Sequence, residues 1–156
     1  MTDAIELQSH VTDISAIVED VFLTMLETKV SHIEQTAECR SHGLTAAVQF
    51  TGENRGSVLL QCSPEQAQFF TRCMMAGEEG PHDEEIVHDV LGEVANIVGG
   101  NVKSLLSPGG AMSTPIVVAG SDYTAHVCQR NSSQTLEFES EAGNFCVTLV
   151  RTAAHS

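Results

Sequence analysis

The sequence is poor in positive charge. Its 156 residues include only 7 Lys and Arg against 21 Asp and Glu, which gives a formal net charge of −14 at pH 7. A surface of this charge repels the phosphate backbone of nucleic acids and anionic lipid headgroups instead of neutralising them. Nucleic acid and membrane surfaces are therefore disfavoured as partners.

The chain also lacks a long apolar run. No segment approaches the roughly 20 apolar residues that a membrane-spanning helix needs. The opening residues MTDAIELQSH do not join a basic segment to an apolar one, as a secretory signal does. The length suits one domain whose core is large enough to fold without disulfides or metals. We expect a cytoplasmic protein with a single domain over residues 1–156.

Cysteine and histidine do not occur at metal-binding spacings. The 5 cysteines are widely separated and include no C-x-x-C pair, so we expect small buried thiols. In the segment HDEEIVH, His82 and His88 are six residues apart, a spacing that does not place them on one face of a helix. We therefore predict that the chain has no metal site of its own.

The first half of the chain contains a helix, a hairpin and a second helix. Apolar residues recur at helical spacing at Ile14, Ile17, Val18, Val21, Phe22 and Met25. Thr12 or Asp13 is the expected N-cap of this helix. The segments LTAAVQFT and SVLLQC, separated by GENRG, predict a β-hairpin. Ser63, Pro64 and Gln66 then have the pattern of a capping box that begins a short helix.

The second half begins with a long helix predicted over residues 83–106, which starts with three acidic residues and ends at SPGG. The segments TPIVVAG, YTAHVCQ, TLEFES and NFCVTLV follow as strands, and EAGN joins the last two as a hairpin. A helix followed by antiparallel strands thus occurs twice, which hints at an internal duplication. These elements predict an α/β (α+β) domain with long helices on a largely antiparallel sheet.

The long helix contains three glycines, each of which costs about 1 kcal/mol relative to alanine in a helix interior. A rotation of about 100° per residue places the apolar stripe on one side, at Ile86, Val90, Val94, Ile97 and Leu105. The opposite face carries Asp89, Glu93, Asn96 and Gly100, flanked by Gly92 and Gly99. Because glycine lets another backbone approach closely, we predict that a partner docks on this face.

Two observations on the same helix leave other interpretations open. A polar outer face is common on amphipathic helices, and glycines can ease packing against a neighbouring element of the same chain. The rotation also points Asn101 toward the apolar side, where its amide would need internal partners.

The segment DVLGEVANIVGGN resembles the signature of the CheX-like chemotaxis phosphatases, which are related to CheC and FliY. That family carries an acidic residue or serine, then Glu, then Asn, with the spacing D/S-x-x-x-E-x-x-N on a long helix. Asp89, Glu93 and Asn96 match this spacing. The following IVGGN and the later STPIVV around Pro115 are also similar, and the short gap from Asn96 to Pro115 favours the CheX branch. The order of the predicted elements matches the family's architecture along nearly the whole chain.

The resemblance implies a phosphatase that accelerates hydrolysis of the aspartyl phosphate on a CheY-type receiver domain. By the same resemblance Glu93 and Asn96 are the catalytic residues. Asn96 positions the attacking water and Glu93 contacts the receiver's lysine. No intrinsic cofactor is implied, and Mg²⁺ is expected to come with the receiver. The expected partner-contacting residues are Asp89, Gly92, Gly99 and Gly100.

The first helix suggests one site per chain. Two-site members of the family repeat the E-x-x-N pair there, whereas here Glu19 is followed three residues later by Phe22. The resemblance also implies a homodimer. The main alternative is a non-catalytic CheX-like module that binds a receiver or a flagellar switch protein. An unrelated cytosolic enzyme is a weaker alternative, because no G-x-S-x-G, P-loop, H-E-x-x-H or dinucleotide signature occurs.

Overall fold

The computed structural model describes residues 10–34, 43–76, 80–120 and 132–152. The helices and strands in these ranges are, in chain order, α1 (Val11–Leu26), β1 (Ser31–Ile33), β2 (Leu44–Phe50), β3 (Gly56–Cys62), α2 (Pro64–Met74), α3 (Glu84–Leu106), β4 (Ile116–Ala119), β5 (Ser132–Ser140) and β6 (Gly143–Arg151). The predicted strand YTAHVCQ lies outside the described residues, as do Cys39 and Cys128.

The described strands form one antiparallel sheet in the order β1-β5-β6-β3-β2-β4. Both predicted hairpins are present: Phe50 of β2 pairs with Gly56 of β3, and Ser140 of β5 pairs with Gly143 of β6. The helices and the antiparallel sheet confirm the fold class that the sequence predicts.

The strand order contains an internal two-fold pattern. Exchanging β1 with β4, β2 with β5 and β3 with β6 gives the same order read from the other end of the sheet. In each half, a helix is followed by a short strand and a hairpin, and the short strand pairs with the hairpin of the other half. The topology therefore contains the internal duplication that the order of the predicted elements suggests.

The core lies between the helices and one face of the sheet. Apolar residues from all three described helices and from alternate positions of β2, β3 and β6 form one continuous cluster. At its centre four phenylalanine rings join α1, α2, β5 and β6, with neighbouring centroids 4.9 to 5.5 Å apart: Phe22, Phe70, Phe138 and Phe145. This cluster holds α1 and α2 against each other and against α3, which also contacts β2 and β3.

The helix starts show one confirmed cap and one correction. The capping box of α2 is present, since Ser63 Oγ accepts the N–H of Gln66 and Gln66 Oε1 accepts the N–H of Ser63. The N-cap predicted for α1 is wrong: His10 occupies that position and its side chain makes no capping hydrogen bond. The helix begins earlier because Val11 packs against the core and extends the apolar stripe by one turn.

Candidate functional site

Helix α3 begins and ends as predicted, with Asp83 as its N-cap, but its buried stripe is rotated from the predicted one. The buried residues are Val87, Val90, Leu91, Gly92, Val94, Ala95, Val98, Gly99 and Val102. Of the residues predicted to be buried, Ile86 and Ile97 are half-buried and Leu105 is 36% exposed. The stripe differs because α3 is covered by the sheet on one side and by α1 and α2 on the other, so its buried arc is wide.

The glycines of α3 require a second correction. We predicted that Gly92 and Gly99 flank an exposed face, but both are buried. A β-carbon at Gly99 would overlap Cγ2 of Val48, so the helix backbone rests directly on β2. A β-carbon at Gly92 would lie 3.5 Å from Cγ of Pro115, just before β4. The close approach that glycine permits is thus made by strands of the same chain, as the alternative interpretation holds.

The polar face of α3 carries the residues of the matching signature. Glu93 is exposed, Asn96 is half-buried on the next turn, and Asp89 is exposed on the preceding turn. Residues at this spacing have β-carbons about 5–6 Å apart. Within the described part of the chain, the Glu93 carboxylate and the Asn96 carboxamide have no hydrogen-bond or ion-pair partner. Both groups are therefore available to an incoming molecule.

Gly100 and Asn101 lie at the carboxyl side of this face. Gly100 is half-buried, and a β-carbon there would have only Cε of Met112 nearby, at 3.8 Å. Asn101 is exposed and its Nδ2 donates to the carbonyl of Ile97 at 2.9 Å. The prediction that Asn101 points to the apolar side is wrong because the buried stripe has a different phase.

A groove of about 270 Å³ runs along α3 beside Glu93, between the helix and β4. Its lining residues are His88, Asp89, Gly92, Glu93, Pro115 and Val117. His88 Nε2 lies 3.6 Å from Glu84 Oε1, one turn toward the start of the helix. Neither His88 nor Val117 was predicted to line the site, because their proximity to each other depends on the pairing of β4 with β2.

A larger cavity of about 640 Å³ lies at the other end of α3, and neither Glu93 nor Asn96 lines it. Arg151 Nη2 donates to Oδ1 of Asn54 at 2.7 Å, and Asn54 Nδ2 donates to the carbonyl of Leu106. These bonds tie the β2–β3 turn and the end of β6 to the last turn of α3. The face that carries the signature residues is therefore the candidate functional site, since the larger cavity contains none of them.

Helix α1 occupies the place of α3 in the other half of the internal repeat. When Ile14 is placed on Val87, the buried residues of the two helices coincide: Val18, Val21 and Phe22 fall on Leu91, Val94 and Ala95. In this alignment Leu23, which is 56% exposed, falls on Asn96. A leucine cannot orient a water by hydrogen bonds, and α1 contains neither Asn nor Gln.

Among residues 10–34, 43–76, 80–120 and 132–152, no three His, Cys, Asp or Glu side chains lie where they could hold a metal ion. In those same ranges no helix is long and apolar enough to cross a membrane.

None of the cysteines among the described residues lines the groove beside Glu93. Cys62 and Cys146 are buried free thiols and Cys73 is partly exposed. Burial raises the pKa of the Cys62 thiol to about 12.

The family model described as "Chemotaxis phosphatase CheX" matches residues 44–139 of the chain. The matched range begins at β2, includes α3 and the groove, and ends within β5. No protein of curated function matches the chain in sequence.

Solved structures with the same fold include several CheX proteins. The CheX of Vibrio vulnificus has a TM-score of 0.73 and 24% identity, over 91% of this chain and 95% of that chain. The CheX of a Desulfovibrio desulfuricans subspecies has a TM-score of 0.74 and 20% identity, over 89% of this chain and 96% of that chain. A CheX-CheY-BeF3-Mg²⁺ complex from Borrelia burgdorferi has a TM-score of 0.73 and 17% identity, over 92% of this chain and 98% of that chain. At these identities the similarity establishes the fold.

Proposed function

The chain belongs to the CheX family of chemotaxis phosphatases, and on that basis we propose that it accelerates hydrolysis of the aspartyl phosphate on a CheY-type receiver domain. The observation that carries this proposal is the pair Glu93 and Asn96, which lie on successive turns of one accessible helix face with their polar groups unused among the described residues. The Borrelia burgdorferi CheX in complex with CheY supports the choice of partner. Beryllium fluoride is, in general, an unreactive mimic of a phosphoryl group.

The chemistry needs little from the phosphatase beyond positioning. An aspartyl phosphate is an activated acyl phosphate, and phosphoryl transfer depends mainly on in-line placement of the nucleophile and on stabilisation of charge. Mg²⁺ would come with the receiver. The Asn96 carboxamide has one acceptor and two donors, so it can accept a hydrogen bond from a water and orient the water's lone pair toward phosphorus. Glutamine plays the corresponding role in small GTPases.

The Glu93 carboxylate has a different role in this proposal. It is exposed one turn from Asn96, where it can contact a lysine of the docked receiver. A charge-assisted contact of this kind fixes the register between the two proteins and therefore the position of the water relative to the phosphoryl group. Glu93 thus contributes to both docking and turnover, whereas Asn96 contributes mainly to turnover.

The remaining partner-contacting residues differ in what they can offer. Asp89 is exposed and Gly100 is half-buried on the same face, so both can touch a docked receiver. Gly92 is buried but lines the groove beside Glu93. Gly99 contacts Val48 within the chain, so it acts on the partner only by holding α3 on β2.

We also propose that two copies of the chain associate, as the family resemblance implies. Among the described strands, β1 and β4 end the sheet, and Ile116 of β4 is 49% exposed. An edge strand offers unpaired backbone groups to a second copy. Light scattering across a concentration series tests this assembly, and a constant monomer mass at micromolar concentrations would contradict it.

The decisive experiment follows phosphate loss from a panel of purified, phosphorylated receivers, with and without this protein. We expect it to shorten the lifetime of at least one phosphorylated receiver, and the Asn96→Ala variant to lose this effect. If receivers bind but none loses phosphate faster, the proposed catalysis is wrong and the non-catalytic module is the better description.

A further inference from the structure

The groove between α3 and β4 has an apolar wall and an acidic rim. Pro115 and Val117 line one side, and Asp89 and Glu93 line the other. Its volume is about 270 Å³, whereas one water occupies about 30 Å³ in the liquid. The groove therefore has room for one long side chain from another molecule.

Gly92 leaves this groove open. A β-carbon there would lie 3.5 and 3.6 Å from Cγ and Cβ of Pro115 and 4.0 Å from Cγ2 of Val117, which is ordinary contact distance. Any longer side chain at this position would extend into the groove. The floor of the groove at this point is thus helix backbone.

The other half of the fold has the same place filled. In the alignment of α1 on α3, Glu19 falls on Gly92, and β1 is the counterpart of β4 in the sheet. Glu19 Oε2 accepts the backbone N–H of His32 in β1 at 3.0 Å. A long side chain therefore fits between helix and short strand in this architecture, and only the α3 side leaves that place vacant.

We propose that the groove binds a second cationic side chain of the receiver, an arginine or lysine other than the lysine that contacts Glu93, and that this contact helps select the receiver. The inference rests on the proposed function. The aliphatic stem packs on Pro115 and Val117, as such stems do on apolar surface, and the cationic group reaches Asp89. Charge complementarity identifies the occupant, because no Lys or Arg lines the groove and the chain carries a net charge of −14.

The Asp89 carboxylate is available to the occupant of the groove. Among the described residues Asp89 has no ion-pair or hydrogen-bond partner. His88, the other titratable group at the rim, lies close to Glu84. Asp89 is one turn from Glu93 on the side away from Asn96, so the groove is separate from the position of the attacking water. It therefore affects which receiver binds more than how fast the bound receiver loses phosphate.

The test compares Asp89→Asn with Glu85→Gln, which removes an exposed acid of the same helix that does not line the groove. Binding is measured with a beryllium-fluoride-loaded receiver, and turnover separately with the phosphorylated receiver. We expect Asp89→Asn to raise Kd and KM about tenfold, the low end for a charge-assisted contact, with kcat changed less than about twofold because the water-positioning groups are intact. Its affinity should also depend less on salt, and Glu85→Gln should match the parent.

A double-mutant cycle then identifies the occupant. Each exposed Arg or Lys of the receiver is changed to Met, and one such change should weaken binding to the parent but add nothing in the Asp89→Asn background. If Asp89→Asn binds like Glu85→Gln while turnover is normal, the groove proposal is overturned and the phosphatase proposal stands. If the parent binds receivers in an Asp89-dependent way without turnover, only the phosphatase proposal fails. If it binds no receiver, both fail.

Discussion

Gly99 of α3 lies directly against Val48 of β2, so that a β-carbon on the glycine would overlap Cγ2 of the valine. Val48 is fully buried and its side chain is β-branched, so it cannot easily turn aside. The contact fixes the height of α3 above the sheet. It thereby holds the two preceding turns, which carry Asn96 and Glu93, in a defined position.

We expect Gly99→Ala to lower the free energy of unfolding by about 1–3 kcal/mol, as overpacking of a filled core does. Gly100→Ala is the matched control, because only Met112 Cε is near its added carbon and alanine stabilises a helix by about 1 kcal/mol relative to glycine. Urea denaturation of both variants measures the difference. Equal stabilities would mean that Val48 moves aside without cost.

Gly100→Leu should keep the fold and weaken receiver binding. The residue is half-buried beside the polar face, so a larger side chain there stands between that face and a docked partner. Titration of a beryllium-fluoride-loaded receiver measures the affinity, with Gly100→Ala as the small control. Unchanged affinity for the leucine variant would limit Gly100 to a packing role.

Asn96→Ala should abolish most of the acceleration of phosphate loss while the receiver still binds. We expect a fall of about 100-fold, the order of loss that follows when a reacting group is no longer held in position. Asn101→Ala is the control, since that exposed amide bonds only to the carbonyl of Ile97 among the described residues. Water positioning by Asn96 is wrong if the variant matches the parent in phosphorylated-receiver lifetime.

Glu93→Ala should lower both affinity and turnover. Loss of a charge-assisted contact costs about 1.5–3 kcal/mol, which is roughly ten- to a hundredfold in an equilibrium or rate constant. Glu93→Gln retains the shape and should recover little, because the charge is what the receiver's lysine recognises. An affinity equal to that of the parent for either variant would show that the carboxylate does not contact the partner.

The Cys62 thiol should stay unmodified by a thiol-reactive disulfide at pH 8, whereas the partly exposed Cys73 reacts slowly. Burial raises the pKa of both thiols, that of Cys62 to about 12 from its ordinary value of 9.0. Between pH 9 and pH 12 the folded chain keeps the Cys62 proton while the unfolded chain loses it. The free energy of unfolding should therefore fall as the pH rises above 9. Site-resolved mass spectrometry and denaturation between pH 8 and pH 11 check both expectations. Rapid labelling of Cys62 in the folded protein would contradict them.

Local signals were enough to predict much of the fold. The two hairpins and the capping box of α2 each depend on a few neighbouring residues, and all three are present. The signature on α3 was also readable, because Asp89, Glu93 and Asn96 lie within eight residues. The first N-cap was missed because the contribution of Val11 to the core depends on tertiary packing.

The environment of the signature could not be predicted locally. Whether Gly92 and Gly99 are exposed depends on where β2 and β4 cross the helix, and β4 reaches that place only by pairing with a strand from the other half of the chain. Helical periodicity also gives most weight to large side chains such as Leu105. It therefore underestimated how far small residues, such as Ala95, extend the buried arc of α3.

The interleaved strand order means that neither half of this chain can complete its own sheet. A polypeptide of half the length, with one helix, one short strand and one hairpin, would need a second identical copy, whose short strand would pair with its hairpin. The molecule is in this sense a strand-swapped pair joined by a covalent tether. The tether frees the two halves to diverge, so that one helix carries Asn96 and an open groove at Gly92, while the other has Leu23 and Glu19 at the corresponding positions.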